Sequence, residues 1–288
     1  MKISTLYQQK KTVISFEIFP PKSTAPVETI YATLEGLIKL NPDFISVTYG
    51  AGGSSRDRTK EIASRIKNRY QVEALAHLTC VGHSCGEIDQ ILKGLQEENI
   101  ENVLALRGDP PADNPDYDFS VCDFQYASDL VKYIKNNSDA CVAAAAYPEG
   151  HACCNRLSED LERLKFKVDQ GVDFLITQLF FDNRVFYNFM ENARRIGIQC
   201  PVAAGVLPVL NAKQIKRIIS LCGASMPAKL LMMVDKYVDN SEDMEKAGIE
   251  FASRQVQDLL DNGVEGIHLY TMNKPQQITE ILRNVGKA

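Results

Sequence analysis

Short apolar runs rich in Val, Ile, Phe and Ala recur along the chain at near-constant spacing, and nothing else in the sequence restricts the fold as strongly. Eight such runs occupy residues 13–19, 44–48, 74–78, 103–106, 142–147, 174–178, 202–206 and 266–270. Their starts lie 31, 30, 29, 39, 32, 28 and 64 residues apart, close to the roughly 30 residues of one strand–crossover–strand unit. Runs with no polar face suit strands covered on both sides, as in parallel sheets flanked by helices. The intervals carry helical periodicity: Leu157, Leu161, Leu164 and Val168 form one apolar stripe. Ser158 is the expected N-cap there. Gly171 follows that stripe, and Gly197 and Gly223 end two later ones, where a C-terminal glycine belongs.

Eight buried parallel strands alternating with helices predict an α/β fold of the (β/α)₈ TIM-barrel type, whose usual size is about 250 residues. An open doubly wound sheet is the alternative. Against it, no run is followed by G-x-G-x-x-G, and the nearest match, Gly50-Ala51-Gly52-Gly53, lacks the third glycine at the proper spacing. Two intervals exceed the repeat. Residues 108–124 are rich in Pro and Asp and predict a long loop over the barrel mouth. The 64-residue interval before the eighth run predicts extra helical segments at 229–237 and 241–260. No linker or shift in composition divides the chain, so residues 1–288 are expected to form one domain.

The 32 basic and 37 acidic residues give a net charge of −5, which offers no electrostatic footprint for a nucleic-acid backbone. No apolar run approaches the ~20 residues that span a bilayer, so no membrane association is expected. The N-terminus MKISTLYQQKK lacks a secretory h-region, which points to a cytoplasmic protein. Its eight cysteines then read as thiols, and without a CxxC pair no metal site is expected.

In a barrel of this kind the chemistry sits at the C-terminal ends of the strands, and polar residues fall there in six successive runs. They are Glu17 in the first, Thr48 and Tyr49 after the second, and His77 in the third. The fourth leads into Arg107, Gly108 and Asp109, the fifth into Tyr147 and His151, and the sixth into Gln178. Glu17 lies between Phe16 and Ile18, and apolar surroundings would raise its pKa and make it a general acid near neutrality. An ion pair with Arg107 or a lysine is the structural alternative. Asp160 and Lys167 lie seven residues apart on one helix face. That is either an ordinary solvated face or, with Arg107 and His151, a place for the ribose and diphosphate of a nucleotide.

The segments SFEIFPPK (15–22), SVTYGAGG (46–53), AHLTC (76–80), LALRGDPP (104–111), YASDLV (126–131), AAYPEGH (145–151), KVDQGVDFLITQLFFD (167–182), GVLPV (205–209) and HLYTMN (268–273), in that order, closely resemble the methylenetetrahydrofolate reductases over essentially the whole chain. The resemblance implies an FAD-binding (β/α)₈ barrel. It further implies that NADH or NADPH passes hydride to FAD and leaves, and that 5,10-methylenetetrahydrofolate then takes its place and is reduced to 5-methyltetrahydrofolate. Glu17 matches the general acid that opens the folate's five-membered ring to an iminium ion. Asp109 matches the aspartate that contacts the pterin and tunes the flavin. Gln178, Gln214 and Lys274 fall at substrate-binding positions.

Matches to FAD-binding positions are Thr48, Tyr49 and Ala51 after the second run, His77 in the third, and Arg107, Gly108 and Asp109 after the fourth. Tyr126 and Ala127 follow, then Tyr147 and His151 after the fifth run, and Asp160 and Lys167 on the next helix. The chain departs from the family pattern at Ile218, where an aromatic residue is usual, at Phe166, where an arginine stands near the FAD, and at Lys274, where a planar guanidinium becomes a point charge. The resemblance also implies a homo-oligomer, and no S-adenosylmethionine-sensing module is expected. Two rival readings remain at this level: a zinc-dependent methyltransferase barrel using Cys153 and Cys154, and a folate-binding subunit that draws electrons from a partner protein, with which Ile218 is compatible.

Overall fold

The computed structural model describes residues 1–21, 24–49, 56–110, 114 and 117–288; Ala51 and its glycine-rich neighbours lie outside the described residues. Eight parallel strands, β1 (Val13–Ile18), β2 (Phe44–Val47), β3 (Glu73–Thr79), β4 (Asn102–Leu106), β5 (Cys141–Ala146), β6 (Phe174–Thr177), β7 (Val202–Val206) and β8 (Gly266–Tyr270), pair in chain order. β8 returns to β1 with Ser15 opposite His268 and Glu17 opposite Tyr270, which closes the barrel. The expected (β/α)₈ fold is therefore the observed one.

Helix α1 (Ile3–Gln9) precedes the barrel. Helices α2 (Tyr31–Ile38), α3 (Arg56–Ser64), α4 (Cys85–Glu97), α5 (Ala127–Asn137), α6 (Leu157–Asp169) and α7 (Asn183–Arg195) fill the successive crossovers. The long interval before β8 holds α8 (Ala212–Cys222), α9 (Ala228–Lys236) and α10 (Ser241–Asp261), and α11 (Pro275–Asn284) follows the last strand. Among the described residues no helix is long and apolar enough to cross a membrane.

Strand alternation sorts the side chains into two cores. Phe16 and Ile18 of β1, with Ile45 and Val47 of β2, face outward to the helices and belong to the large apolar layer around the barrel. Val13, Phe44, Leu75, Leu104 and Phe174 face the axis and fill its N-terminal end. α1 plugs that end: Ile3 and Leu6 are buried in the same cluster, and Tyr7 packs 5.3 Å from Phe174 between ring centroids. Asn102 fixes the plug, accepting from the Ile3 amide at 2.7 Å. Each such fully buried aliphatic side chain contributes about 1.5–3 kcal/mol. The result is a dry floor beneath a polar mouth.

Local expectations fare unevenly on α6. Gly171, Gly197 and Gly223 adopt φ of 112°, 87° and 72° after α6, α7 and α8, as helix-ending glycines do. Ser158, by contrast, is not the N-cap. α6 starts at Leu157 with Arg156 in the capping position and no side-chain cap, so Ser158 lies inside the first turn, where Glu159 and Asp160 complement the helix dipole. Leu164 of the stripe is buried, whereas Leu157 is exposed.

α8 and α9 form a separate apolar cluster with residues beyond β6 and β7, including Leu179, Phe181, Leu207 and Val209. α10 lies against α7, α9, α11 and β7, and Gly248 sets how close it comes: a Cβ there would stand 1.8 Å from the Val209 carbonyl oxygen. Gly248→Ala must therefore displace backbone, and we expect a loss of about 1–3 kcal/mol, read as a lowered midpoint in urea unfolding. Gly86→Ala, at an exposed position with nothing within 4 Å, is expected to leave the midpoint unchanged or raise it slightly.

Candidate active site

Two cavities meet at the C-terminal end of the barrel, one of about 480 Å³ over the axis and one of about 670 Å³ between the β4 and β5 ends and α6. Arg107, Tyr147 and His151 line both, so the two form one continuous cleft. Their combined size suits an extended organic ligand.

Glu17 enters the axial cavity from β1, and Asp109 beyond β4 and Gln178 beyond β6 line the same cavity. Its Oε2 atom is the meeting point of three other strands: Ser46 Oγ of β2 at 3.4 Å, His77 Nε2 of β3 at 3.4 Å and His268 Nε2 of β8 at 3.5 Å. Thr271 anchors the backbone, its hydroxyl donating to the Glu17 carbonyl at 2.6 Å. The expectation of an apolar site with a raised pKa is overturned. Burial does push the carboxyl upward, but the His268 hydrogen bond, the fields of the two histidines and the Ser46 hydroxyl outweigh it, and the net direction is downward. Among the described residues Glu17 pairs with neither Arg107 nor a lysine; its partners are two imidazoles and the Ser46 hydroxyl.

His77 itself is pushed down to about 4 by burial, only partly opposed by Glu17. It is therefore neutral at pH 7, and its Nε2 lacks a hydrogen-bond partner among the described residues. What holds Glu17 ionised at neutral pH is then His268 and Ser46. On β8, Tyr270 donates to the Thr177 carbonyl at 2.7 Å, and burial raises its pKa well above the ordinary value.

The larger cavity is cationic at its base. Lys167 is buried with its Nζ donating to the Ala145 carbonyl at 2.7 Å, and burial lowers its pKa to about 8, partly opposed by Asp160. Arg107 rests on the Phe119 ring, 4.7 Å from its centroid. Neither cation has an ion-pair partner among the described residues, so the cleft presents positive charge that a buried anion would satisfy. Tyr126 and Ala127 at the start of α5 and Asp160 on α6 line the same space, and Tyr147 meets His151 edge to face at 4.8 Å. These residues fit a dinucleotide: cations for its phosphates, a carboxylate for a ribose and ring faces for its bases.

Most sequence-proposed positions thus converge on one cleft, with exceptions. Among the described residues, Thr48, Tyr49, Gln214 and Lys274 do not line either cavity. Tyr49 hydroxyl instead meets His83 Nε2 at 3.1 Å. Gln214 on the first turn of α8 and Lys274 just before α11 are exposed, at helix starts that follow β7 and β8 and so face the mouth. Ile218 lines the axial cavity and Phe166 the larger one, as do Cys153 and Cys154, though no cluster of His, Cys, Asp or Glu fit for a metal occurs among the described residues. Sequence reasoning missed His268, Ser46 and Ser15. The signal was available for His268, which interrupts the apolar run GIHLY as His77 interrupts ALAHLT.

A family model for methylenetetrahydrofolate reductase matches residues 2–286. The chain is 36% identical over 275 residues to the 5,10-methylenetetrahydrofolate reductase of Escherichia coli (strain K12), covering 95% of this chain and 90% of that one. The chain belongs to the methylenetetrahydrofolate reductase family. A plant member, methylenetetrahydrofolate reductase (NADH) 1 of Arabidopsis thaliana, is 38% identical over 296 residues, 99% of this chain and 50% of that one; the chain spans about half the length of such relatives. In fold it is similar to a protein from Clostridium thermocellum described as binding two copies of 5-methyl-5,6,7,8-tetrahydrofolic acid, with a TM-score of 0.68 at 16% identity over 98% of this chain and 97% of that one.

Within this family frame, the Lys167 ammonium offers a check on the cleft that needs no ligand. In protein labelled with ¹³Cε-lysine, one resonance is expected to titrate near pH 8, well below ordinary lysines at about 10.4, and to vanish in Lys167→Arg. A full set of ordinary midpoints would mean that the base of the cleft is wet.

Proposed function

We propose that the protein is a flavin-dependent reductase that converts 5,10-methylenetetrahydrofolate to 5-methyltetrahydrofolate, drawing electrons from NADH or NADPH at the same site in turn. The observation that carries this reading is the continuity of the cleft. Glu17, Asp109 and Gln178 line one cavity, which shares Arg107, Tyr147 and His151 with the cationic space around Lys167, and family membership narrows what such a cleft would hold. FAD bound there would supply the hydride acceptor and donor.

The chain's own residues do the rest. Lys167 and Arg107 would hold the diphosphate, Asp160 a ribose hydroxyl, and Tyr126, Tyr147 and His151 the ring systems. His77, Gly108 and Ala127, which line the same cleft, would complete the FAD contacts. Gln178 and Asp109 bind the edge of the pterin, orienting it over the space that the nicotinamide vacates. Gln214 and Lys274, exposed at the rim, meet the outer part of the folate, where a cation suits an anionic tail.

Glu17 supplies the proton that lets the five-membered ring open. Its carboxyl is held low by His268, His77 and Ser46 in the ligand-free cleft, against the upward push of burial, so the proton must arrive as substrate binds. Filling the cavity removes water and pushes the carboxyl upward, because desolvation penalises the charged form. The acid is thus loaded when the pterin is seated.

Absorbance spectroscopy tests this directly. Protein reconstituted with FAD is expected to be yellow, to bleach anaerobically with NADH, and to recover its colour on addition of 5,10-methylenetetrahydrofolate. Glu17→Gln should keep the bleaching step and slow the recovery by about 10²–10⁴-fold, the span of general acid catalysis. Equal loss in both steps would make Glu17 structural, and failure to take up FAD would sink the reading altogether. Ile218 gives the axial cavity an aliphatic wall, which favours a weaker nicotinamide contact. Rapid full bleaching by NADH alone would remove any need for a partner protein as electron donor.

A further inference from the structure

His268 at the barrel mouth is fully buried, with no solvent exposure, and its contact with Glu17 raises the question of how its own ring is held. Its ring is immobilised on three sides. It stacks over Phe44 of β2 at 6.1 Å and 24°, meets Tyr270 edge to face at 5.3 Å and 88°, and its Nδ1 lies 2.8 Å from Ser15 Oγ, which is also fully buried. The remaining nitrogen, Nε2, points to Glu17 Oε2.

The hydrogen-bond inventory decides where the proton sits. Ser15 has one hydroxyl proton and two acceptors in reach, Nδ1 at 2.8 Å and the Ile267 carbonyl at 3.3 Å. Donation along the shorter line leaves the ring proton on Nε2, facing the carboxylate. The opposite tautomer would set the Nε2 lone pair against a carboxylate oxygen, two acceptors with no proton between them. We propose that His268, fixed in its Nε2–H tautomer by Ser15, is the positioning residue of Glu17, setting the direction in which the carboxyl points and the pH at which it takes up its proton.

The 3.5 Å separation is at the long end for a hydrogen bond, as expected of a catalytic contact that tightens when the substrate complex forms. Other polar groups facing the pair do not replace it. Ser46 of β2 offers one hydroxyl at 3.4 Å, His77 of β3 is neutral near pH 7, and Tyr270 of β8 spends its proton on Thr177. Asp109 and Arg107 stand elsewhere on the cavity wall. This role rests on Glu17 being the general acid, but the contact itself can be tested without folate.

The chain holds four histidines, so ¹⁵N-histidine NMR resolves each ring, with assignment by single variants. The expected result is a proton on His268 Nε2 and none on Nδ1; the reverse would overturn the assignment. The ionisation midpoint of Glu17 is then read from ¹³Cδ-glutamate spectra of ligand-free protein, its resonance identified by loss in Glu17→Gln. His268→Leu should raise that midpoint by about one pH unit, tenfold in the ionisation constant. Ser15→Ala should raise it by less, and His268→Gln, which returns an N–H near the same place, should restore most of it. An unmoved midpoint in His268→Leu, or in Ser15→Ala should the leucine variant fail to fold, overturns the proposal. An unslowed folate step in Glu17→Gln would instead remove the functional reading and leave the His268–Glu17 contact standing.

Discussion

A carboxylate inside a barrel is tolerable only where donors surround it, and here that requirement ties the site to closure of the sheet. Glu17 comes from the first strand, and the groups around Oε2 come from the second, third and eighth. The β8–β1 seam is therefore more than the last hydrogen-bonded ladder. It sets Ser15 beside His268 and Glu17 beside Tyr270, so a one-residue slip would turn these side chains from the axis to the helices. The register that makes the cylinder also gathers the polar groups around Glu17.

The same cylinder separates two environments along one axis. Below, α1 and the inward Phe, Leu and Val side chains leave no polar group without a place, apart from the Tyr7 hydroxyl, which lacks a partner and whose pKa burial drives upward. Above, inward positions on β1, β2, β3 and β8 carry polar groups instead, among them Ser15, Glu17, Ser46, His77 and His268. Such a mouth can be polar because the floor contributes most of the apolar burial inside the barrel, and because the outer helical layer holds the strands independently of what fills the axis.

The fold was legible because its information is local. A strand buried on both faces must be apolar throughout, so each of the eight appears as a run, and the extra helices at 228–236 and 241–261 appear through their own periodicity. The error at Ser158 came from the one place where local chemistry allowed two starts a residue or two apart. Glu17 was found as a position, since a carboxylate in an apolar run stands out, but its surroundings were misread. Phe16 and Ile18 beside it in sequence point outward and do not touch the carboxyl, whereas its real neighbours lie 29, 60 and 251 residues away. Gln214 and Lys274 carry no physical signal in the sequence, being ordinary polar residues at helix starts, and only the family resemblance singled them out.

Imidazoles rather than an arginine or lysine beside Glu17 have a mechanistic consequence. A fixed cation within about 4–6 Å lowers a carboxylate by about 1–3 units, and that bias would persist in a dehydrated cleft, where charge interactions strengthen. In the reaction proposed above, the carboxyl would then stay ionised at the moment it is called on to give a proton. A ring N–H and a serine hydroxyl bias it more weakly, enough to hold it ionised while water fills the cavity. Desolvation by a seated ligand opposes that bias and can reverse it. In the proposed reaction, an acid that is charged when the site is open and protonated when it is full is served by neighbours that add no fixed positive charge, and His77, with its pKa driven to about 4 by burial, meets that condition.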